Sequence, residues 1–357
     1  MAKENIPMHR QMERDARIQH VPFSGKLELT PRCTLDCKMC YVHLTEQQMG
    51  ERKELSTEQW IEYINEAWKL GMTYVLLTGG ECLLHKGFRQ IYKHLKKLGT
   101  IIVVNTNATL LNDEYISFFK EDPPCKLQVS LYGMSEDGYE RVTGRRVFNR
   151  VKENILKIRD AGIKVKISVT NSKYLNDEAL EIVQFARDNG IDYIYSEALR
   201  EANEDTGRQI DDYGLTAAEA ISMNKKLYAI EERQLTKNET IAVMPPKDQS
   251  GTVLRGLKCA AGHSSFTIKW DGTLLPCLWT PEEGIDLKET GFREAWEKLD
   301  SIANQYIIPI ECETCQYRKV CHSCAALRRD PKNPAHCNRM MCQKTISAYN
   351  AGLLKMK

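Results

Sequence analysis

The sequence predicts an α/β fold in which six parallel strands precede a cysteine-rich C-terminal domain. Three observations predict it: glycines that end helix-like segments just before strand-like runs, polar signatures directly after several of those runs, and 13 cysteines, of which eleven stand in tight or regularly spaced groups. A parallel array of this size either stays open or curves into a full or partial barrel. In both cases the chemistry lies at the carboxyl ends of the strands.

Four junctions define the repeating helix–strand pattern. Gly71, Gly99, Gly162 and Gly190 lie in KLGMTYVLL, KLGTIIVV, DAGIKVKI and DNGIDYIY. Glycine at such a point is the expected left-handed end of a helix, and the β-branched or aromatic run after it predicts a strand. The predicted strands are KLELT, YVLLT, IIVVNT, KLQVSLY, KVKISV and DYIYSEAL.

Two helices have particular sequence signals. Ser56 and Gln59 fit a capping box, and the apolar stripe from Trp60 to Trp68 has helical spacing. Beyond about residue 200 the pattern changes to a polar, acidic segment, one helix-like stretch from Thr216 to Arg233, and a proline-containing stretch. We place a domain boundary near residues 235–257.

Composition limits the class of protein. The chain has 357 residues, 42% hydrophobic and 27% charged, and a formal net charge of +2, which offers no support for a nucleic-acid partner. The N-terminus is polar and lacks the apolar core of a signal peptide. No apolar run approaches the ~20 residues of a membrane helix, so we expect a cytoplasmic protein without a membrane partner.

The first cysteine group, CTLDCKMC, follows the first predicted strand and contains Cys33, Cys37 and Cys40. TGGE, NTN and Ser130 follow later strands and are expected at the same edge of the sheet. Three thiolates can hold three irons of a cubane cluster and leave the fourth iron to an exogenous ligand. A zinc site with His43 as the fourth ligand is the alternative.

The second cysteine group begins with a predicted hairpin: SFTIKW, a turn at Asp271-Gly272, and TLLPC. Large size and an odd cysteine count disfavour a disulfide scaffold. Two cubane clusters or two zinc ions are both compatible with the spacing. The grouped cysteines are Cys259, Cys277, Cys312, Cys315, Cys321, Cys324, Cys337 and Cys342.

Residues 26–200 resemble the radical S-adenosylmethionine (SAM) superfamily, through the CxxxCxxC motif and TGGE in this order on the strands. The resemblance implies a partial (β/α)6 TIM-like barrel. It also implies a catalytic [4Fe–4S] cluster on Cys33, Cys37 and Cys40, whose fourth ligand is SAM. Arg141 in YERVTG resembles the arginine that approaches the SAM carboxylate. The SAM-binding residues implied by the resemblance are Met39, Gly79, Gly80, Glu81, Thr106, Asn107, Ser130 and Arg141.

The C-terminal cysteines resemble the SPASM extension of radical SAM enzymes, which carries two auxiliary [4Fe–4S] clusters. By this resemblance Cys259, Cys277 and Cys324 hold the first, with Cys337 or, less favoured, His263 as a fourth ligand. If neither binds, that cluster has an open iron. The second is held by Cys312, Cys315, Cys321 and Cys342. The implied division is an N-terminal extension over residues 1–25, a radical SAM barrel over 26–235 and a SPASM-like domain over 236–357.

Two cysteines stand outside the groups. Cys125 and Cys82 are expected to be small buried hydrophobes. The functional alternative for Cys82, beside the SAM-binding stretch, is a hydrogen-atom donor, as in some radical SAM epimerases.

The resemblance implies an enzyme that cleaves SAM to a 5′-deoxyadenosyl radical and oxidatively modifies a ribosomally made peptide. The expected partners are that peptide and a reductant such as flavodoxin or ferredoxin. Because only 32 residues precede Cys33, we expect either that a separate protein binds the leader or that the substrate is bound in another way. The acidic segment from Glu201 to Asp212 is expected to be a solvated loop, and the alternative is that it meets a basic peptide. A radical SAM dehydrogenase of a small alcohol or sugar, and a zinc-stabilised scaffold without turnover, are the alternatives.

Overall fold

A computed structural model describes residues 8–199, 213–238, 253–280, 284–321, 324–330 and 333–355. The acidic segment 201–212 and the stretch around Pro245 lie outside these ranges. In the described part of the chain, no helix is long and apolar enough to cross a membrane.

Six parallel strands form the centre of the molecule, as predicted. They are β1 (Ser24–Glu28), β2 (Tyr74–Thr78), β3 (Ile101–Thr106), β4 (Lys126–Ser130), β5 (Val165–Thr170) and β6 (Asp192–Ser196). Each pairs in parallel with the next along the chain. The sheet has two free edges among the described strands, which agrees with the predicted partial barrel and not with a closed one.

The C-terminal hairpin is confirmed, and it extends this same sheet. Strand β8 (Ser265–Ile268) is antiparallel to β9 (Thr273–Leu275) and parallel to β1. Strand β10 (Ile285–Asp286) adds to β9. A separate two-stranded sheet contains β7 (Val253–Arg255) and β11 (Ile307–Pro309).

Local signals at helix ends behave as the sequence predicts. Ser56 and Gln59 form a reciprocal capping box at the start of the helix Thr57–Lys69. The predicted stretch from Thr216 to Arg233 is a helix over Ala217–Ile230. The described helices are Met8–Ile18, Glu46–Met49, Thr57–Lys69, Phe88–Lys97, Asp113–Glu121, Glu136–Thr143, Phe148–Asp160, Glu178–Asp188, Ala217–Ile230, Leu287–Gln305, Ile310–Glu313, Ala325–Arg328 and Arg339–Asn350, with 3-10 turns at Cys82–Leu84 and Gln316–Lys319.

The hydrophobic core is unevenly distributed along the chain. One large cluster joins the barrel strands, their helices, the β8–β9 hairpin and the helix Leu287–Gln305. Among the described residues near the C-terminus, two small clusters lie apart from it. One contains Tyr317, Val320, Ile346 and Tyr349, and the other contains Leu257, Ala261, Ala303, Tyr306 and Ile308. The cysteine-rich end therefore has little apolar burial of its own to stabilise it.

Candidate functional site

The loop after β1 is held in place by the glycines that follow β2. The amides of Gly80 and Glu81 donate to the carbonyls of Thr30 and Arg32, each at 2.8 Å. A Cβ on Gly80 would lie 2.3 Å from the Arg32 carbonyl oxygen, and one on Gly79 would lie 2.5 Å from that of Thr30. Glycine is required here because two backbones touch. The contact fixes the chain immediately before Cys33.

Glu81 connects the ends of β2 and β3. Its buried carboxylate accepts from the Thr106 hydroxyl at 2.9 Å, the Asn107 amide at 2.8 Å and the Leu83 amide at 3.2 Å. Burial raises the pKa of Glu81 to about 7, against the opposing effect of these donors. The Glu81 side chain therefore holds the ends of β2 and β3 in position. Because its carboxylate is already hydrogen-bonded, the backbone of TGGE is the part of this segment that is able to face a ligand.

The three cysteines of CTLDCKMC lie on this fixed loop. Cys37 is buried, and Cys33 and Cys40 are half-buried. The Cys33 sulfur accepts from the Leu35 amide at 3.5 Å and from the Asn107 side chain at 3.4 Å. Burial raises the pKa of Cys33 to about 12, so its thiolate form needs a positive partner such as an iron ion.

The cysteine loop does not form a preformed site for a single metal ion. In the described ranges, no three His, Cys, Asp or Glu side chains converge as ligands of one metal ion. His43, the alternative zinc ligand, has its Nδ1 3.5 Å from Asp36. Cubane thiolates bind different irons and need not converge.

Tyr139 adds a second observation in favour of a cluster. Its hydroxyl is buried without a hydrogen-bond partner among the described residues. Burial raises its pKa well above the usual range, and the nearby Cys37 and Cys33 raise it further. Such an orphaned donor beside thiolates suits an anionic group bound between them. Nothing in the sequence distinguished this tyrosine.

Three other predicted SAM contacts differ in their location and in their partners. Met39 is buried between Cys37 and Cys40, and Ser130 ends β4 at the same edge of the sheet. Arg141 is engaged elsewhere: it donates to the Tyr174 carbonyl at 2.8 Å and pairs with Glu178. Its assignment to the SAM carboxylate stays a prediction that requires this pair to open.

The two isolated cysteines differ in environment. Cys82 is fully buried, and its thiol donates to the Asn105 carbonyl at 3.2 Å. That position suits a packing role, and a hydrogen-atom donor would have to leave it. Cys125 is exposed, so the expectation that it is a buried hydrophobe is wrong.

The first C-terminal set contains Cys259, Cys277 and Cys324. Burial raises the pKa of Cys324, and the nearby Cys277 and Cys259 raise it further. His263 is occupied, because Nδ1 lies 2.7 Å from Asp300 and Nε2 lies 2.8 Å from the Leu257 carbonyl oxygen. It is therefore not available as the fourth ligand.

The strand topology places this first set at the opposite ends of the parallel strands from Cys33. Cys259 precedes β8, which runs parallel to β1, and Cys277 follows β9, which returns antiparallel. Both cysteines thus lie toward the amino ends of the parallel strands. A strand of five residues is roughly 15 Å long, so the amino and carboxyl ends of the parallel strands are about that far apart.

The second set surrounds one cavity. Cys312, Cys315, Cys321 and Cys342 line it as predicted for one site, and Cys337 lines it too. The placement of Cys337 with Cys259, Cys277 and Cys324 is therefore wrong. Its amide donates to the Glu311 carboxylate at 2.7 Å, which holds it beside Cys342.

Charged groups complete this cavity. Glu311 is buried and also lies 3.0 Å from His336 Nδ1, and Arg318 and Arg328 line the wall. The Nε of Arg328 is buried and has no hydrogen-bond partner within the described ranges. An orphaned guanidinium N–H facing several thiols fits an anionic iron–sulfur cluster. The sequence shows these residues but not that they converge.

Comparison with known proteins identifies the barrel. Residues 27–186, somewhat under half of the chain, match the sequence model of the Radical SAM superfamily. These residues form a radical SAM domain, and the protein is an enzyme with SAM and a [4Fe–4S] cluster as cofactors.

Relatives and structural neighbours extend beyond the barrel. A PqqA peptide cyclase from Bradyrhizobium diazoefficiens is 25% identical over 319 residues, covering 84% of this chain and 80% of that protein. An AdoMet-dependent heme synthase from Methanosarcina barkeri is 25% identical over 317 residues, covering 84% and 90%. The crystal structure of Streptococcus suis SuiB bound to precursor peptide SuiA has the same fold, with a TM-score of 0.67, 16% identity and coverage of 96% and 84%.

Proposed function

We propose that this enzyme oxidatively modifies a ribosomally made peptide. The observation that carries the proposal is the similarity to a PqqA peptide cyclase, which covers 84% of this chain and therefore extends beyond the barrel residues 27–186. A match confined to the barrel would support only SAM cleavage. Similarity that extends beyond the barrel supports a shared type of reaction.

The barrel residues would position the cofactors. Cys33, Cys37 and Cys40 hold the cluster, and the TGGE backbone with Asn107 and Ser130 borders the space for SAM. When bound there, SAM supplies a 5′-deoxyadenosyl radical that abstracts hydrogen from the substrate. Glu81 and the glycine pair keep the loop rigid, which favours one productive geometry.

The C-terminal region would complete the oxidation. Cys259, Cys277 and Cys324 would hold a first auxiliary cluster toward the amino ends of the strands, and the five-thiol cavity a second. The substrate would bind between the radical site and the first auxiliary cluster, which could accept the electron left after hydrogen abstraction. The boundary between residues 235 and 236, which separates the barrel from the SPASM-like domain, is also part of this proposal.

Partners and location follow the same proposal. We expect a separate leader-binding protein and a reductant such as flavodoxin or ferredoxin, in the cytoplasm. The acidic segment 201–212, which could meet a basic peptide, lies outside the described residues.

A small-molecule substrate is the second candidate. The observation that favours it is the AdoMet-dependent heme synthase, which is as similar to this chain as the peptide cyclase. A dehydrogenase of a small alcohol or sugar would use the same cysteines. The zinc scaffold has no comparable support.

Peptide mass after turnover tests the proposal. Products of short reading frames beside the gene are incubated anaerobically with enzyme, SAM and reductant in deuterated buffer, with the Cys33→Ala variant as the control. Loss of two hydrogens from one peptide, with 5′-deoxyadenosine formed, is the expected result. Gain of one deuterium at Cα would indicate epimerisation and direct attention to Cys82. No change in any peptide, with stimulation of 5′-deoxyadenosine by a small alcohol, would replace the proposal with the dehydrogenase.

A further inference from the structure

The inner face of the barrel sheet carries three lysines. Successive side chains of a strand point to opposite faces of the sheet. On the outer face, side chains such as Leu27 and Leu127 are fully buried in the main core together with the helices. The adjacent Lys26 and Lys126, and Lys166 on β5, point to the inner face and are only half-buried. The inner face is therefore open to a ligand.

Strand pairing places two of these lysines in one row across the sheet. Lys26 on β1 lies opposite Leu76 on β2. Val103 on β3 lies opposite both Leu76 and Lys126 on β4. Neighbouring strands are about 4.8 Å apart, so the two lysine backbones lie about 14 Å apart along the curved sheet. Leu76 and Val103, which are half-buried, form an apolar floor between them.

The third lysine lies nearer the radical site. Lys166 is opposite Gln128 on β4, two residues before Ser130 at the edge that carries the cysteine loop, whereas Lys126 is four residues before Ser130. A strand rises about 3.3 Å per residue, so the two lysine backbones lie about 7 and 13 Å from that edge. The three lysines thus line the path from the radical site toward the amino ends of the strands.

These lysines lack counter-ions. Within the described ranges, none of the three forms an ion pair. Lysines on outer helices do form such pairs, for example Lys157 with Glu153 and Lys298 with Glu294. The positive charge of the inner face is therefore not neutralised by the described part of the chain.

Two carboxylates share the inner face and leave this conclusion unchanged. Asp192 on β6 lies opposite Lys166, but it is exposed, and the two form no ion pair among the described residues. Glu28 lies two residues beyond Lys26 on β1, where it is buried and has partners of its own. Neither carboxylate occupies the open part of the face.

The chemistry of an unpaired ammonium group indicates what binds there. Water solvates the three charges while the face is open. A ligand that fills the barrel removes this water, and a charge buried without a partner is costly. The inside of a parallel barrel is ordinarily filled by branched apolar side chains, which carry no such cost. The ligand should therefore bring negative charge, and in a peptide the carboxylate is the group that does so.

We propose that the inner face of the barrel is a groove for an acidic segment of the peptide substrate, whose Glu or Asp carboxylates pair with Lys26, Lys126 and Lys166. This names a substrate class for the proposed function and rests on that function. An extended peptide covers about 14 Å in four residues, so we expect carboxylates about four residues apart at Lys26 and Lys126. Apolar side chains between them would lie on Leu76 and Val103.

Peptide binding without turnover tests the proposal. The cluster-loaded enzyme with SAM, but without reductant, is titrated anaerobically in a calorimeter with a peptide of alternating glutamate and glycine, and with the same peptide carrying glutamine. The wild type should bind the glutamate peptide at least about tenfold more tightly, as charge-assisted hydrogen bonds imply. A Lys26→Gln/Lys126→Gln/Lys166→Gln variant should bind the two peptides within about twofold of each other.

The matched control removes the same charge from the outside of the barrel. Lys69, Lys97 and Lys120 are exposed on three outer helices. A Lys69→Gln/Lys97→Gln/Lys120→Gln variant should keep the preference of the wild type for glutamate. An equal loss of preference in both triple variants would overturn the proposal, because net charge and not the inner face would then explain the binding.

The wild type decides the question even if the inner-face variant does not fold. Equal affinity for the two peptides, or tighter binding of a lysine–glycine peptide, would overturn the proposal. Tighter binding of inorganic tripolyphosphate than of the glutamate peptide would replace the carboxylate ligand with a phosphate. A preference for glutamate without modification of any peptide would support the groove and contradict the proposed function alone. Modification of a peptide that lacks acidic residues would contradict the groove alone.

Discussion

The barrel edge and the cysteine-rich end both gather thiols, but they position them by different means. At the barrel edge, backbone hydrogen bonds from Gly80 and Glu81 fix the loop, and a large core lies beneath it. At the C-terminal end, four buried side chains form the local core, and the thiols lie around a cavity. A site built on a sheet can exist before its cofactor binds, whereas a site with little core depends on its metal to hold it together.

Metal removal should separate the two regions most strongly. In the cluster-free chain, amides of the helix Arg339–Asn350 should exchange at least about 100-fold faster than in the loaded enzyme, because structural metal sites contribute on the order of 10 kcal/mol to folding. Amides of β2, β3 and β4 should keep their protection. Hydrogen exchange followed by mass spectrometry measures both, and equal changes in the two regions would contradict the comparison.

Gly80→Ala should damage the barrel edge itself. The added methyl group would meet the Arg32 carbonyl at 2.3 Å, which should destabilise the chain by about 3 kcal/mol and displace the cysteine loop. Gly99→Ala is the matched control, because its Cβ would meet nothing within 4 Å and only its φ of +73° opposes the change. It should cost about 1 kcal/mol. Urea unfolding measures both, and equal losses would show that the backbone contact is unimportant.

Asn107→Ala should have an intermediate effect at the same edge. The amide contacts Cys33 at 3.4 Å and Thr34 at 3.0 Å, and loss of such a supporting group typically lowers activity by about 10–100-fold. The rate of 5′-deoxyadenosine formation is the measurement. Asn65→Ala, which removes a partner of His94 on an outer helix, should stay within about twofold. If both variants behave alike, Asn107 does not support the cluster.

Tyr139→Phe should have the smallest effect. If the buried hydroxyl donates to the cluster or its thiolates, its loss should make the reduction potential of the first cluster more negative by on the order of tens of millivolts, because the hydrogen bond stabilises the more negative reduced state. A redox titration followed by electron paramagnetic resonance measures this. Tyr92→Phe, whose hydroxyl donates to the Asp122 carbonyl, is the control. An unchanged potential would place the hydroxyl away from the cluster.

Much of the barrel could be predicted because its signals are local. The four helix-ending glycines all have positive φ, and the capping box at Ser56 forms as expected. Strand β2 has its predicted limits, whereas β1 begins two residues earlier than KLELT and ends at Glu28. Since parallel strands end at one edge, the cysteine loop, TGGE and NTN had to meet.

What escaped prediction depends on long-range contacts. Cys337 joins the second set because the buried Glu311 accepts its amide, and no spacing rule reveals that bond. Arg141 has the expected motif but pairs with Glu178 on a distant helix. The hairpin was predicted, yet its parallel pairing with β1 was not, because sequence periodicity does not specify which strand edge a hairpin joins.

The central claim is that SAM is cleaved at the barrel edge and that the cysteine-rich end serves a later step. Its most direct test is 5′-deoxyadenosine formation, under anaerobic conditions with a strong chemical reductant, by the wild type, a Cys33/Cys37/Cys40→Ala triple variant and a Cys259/Cys312→Ala double variant. We expect formation by the wild type, none by the triple variant and retained formation by the double variant. Continued cleavage by the triple variant would contradict the account, because SAM would then react at a site other than the loop after β1.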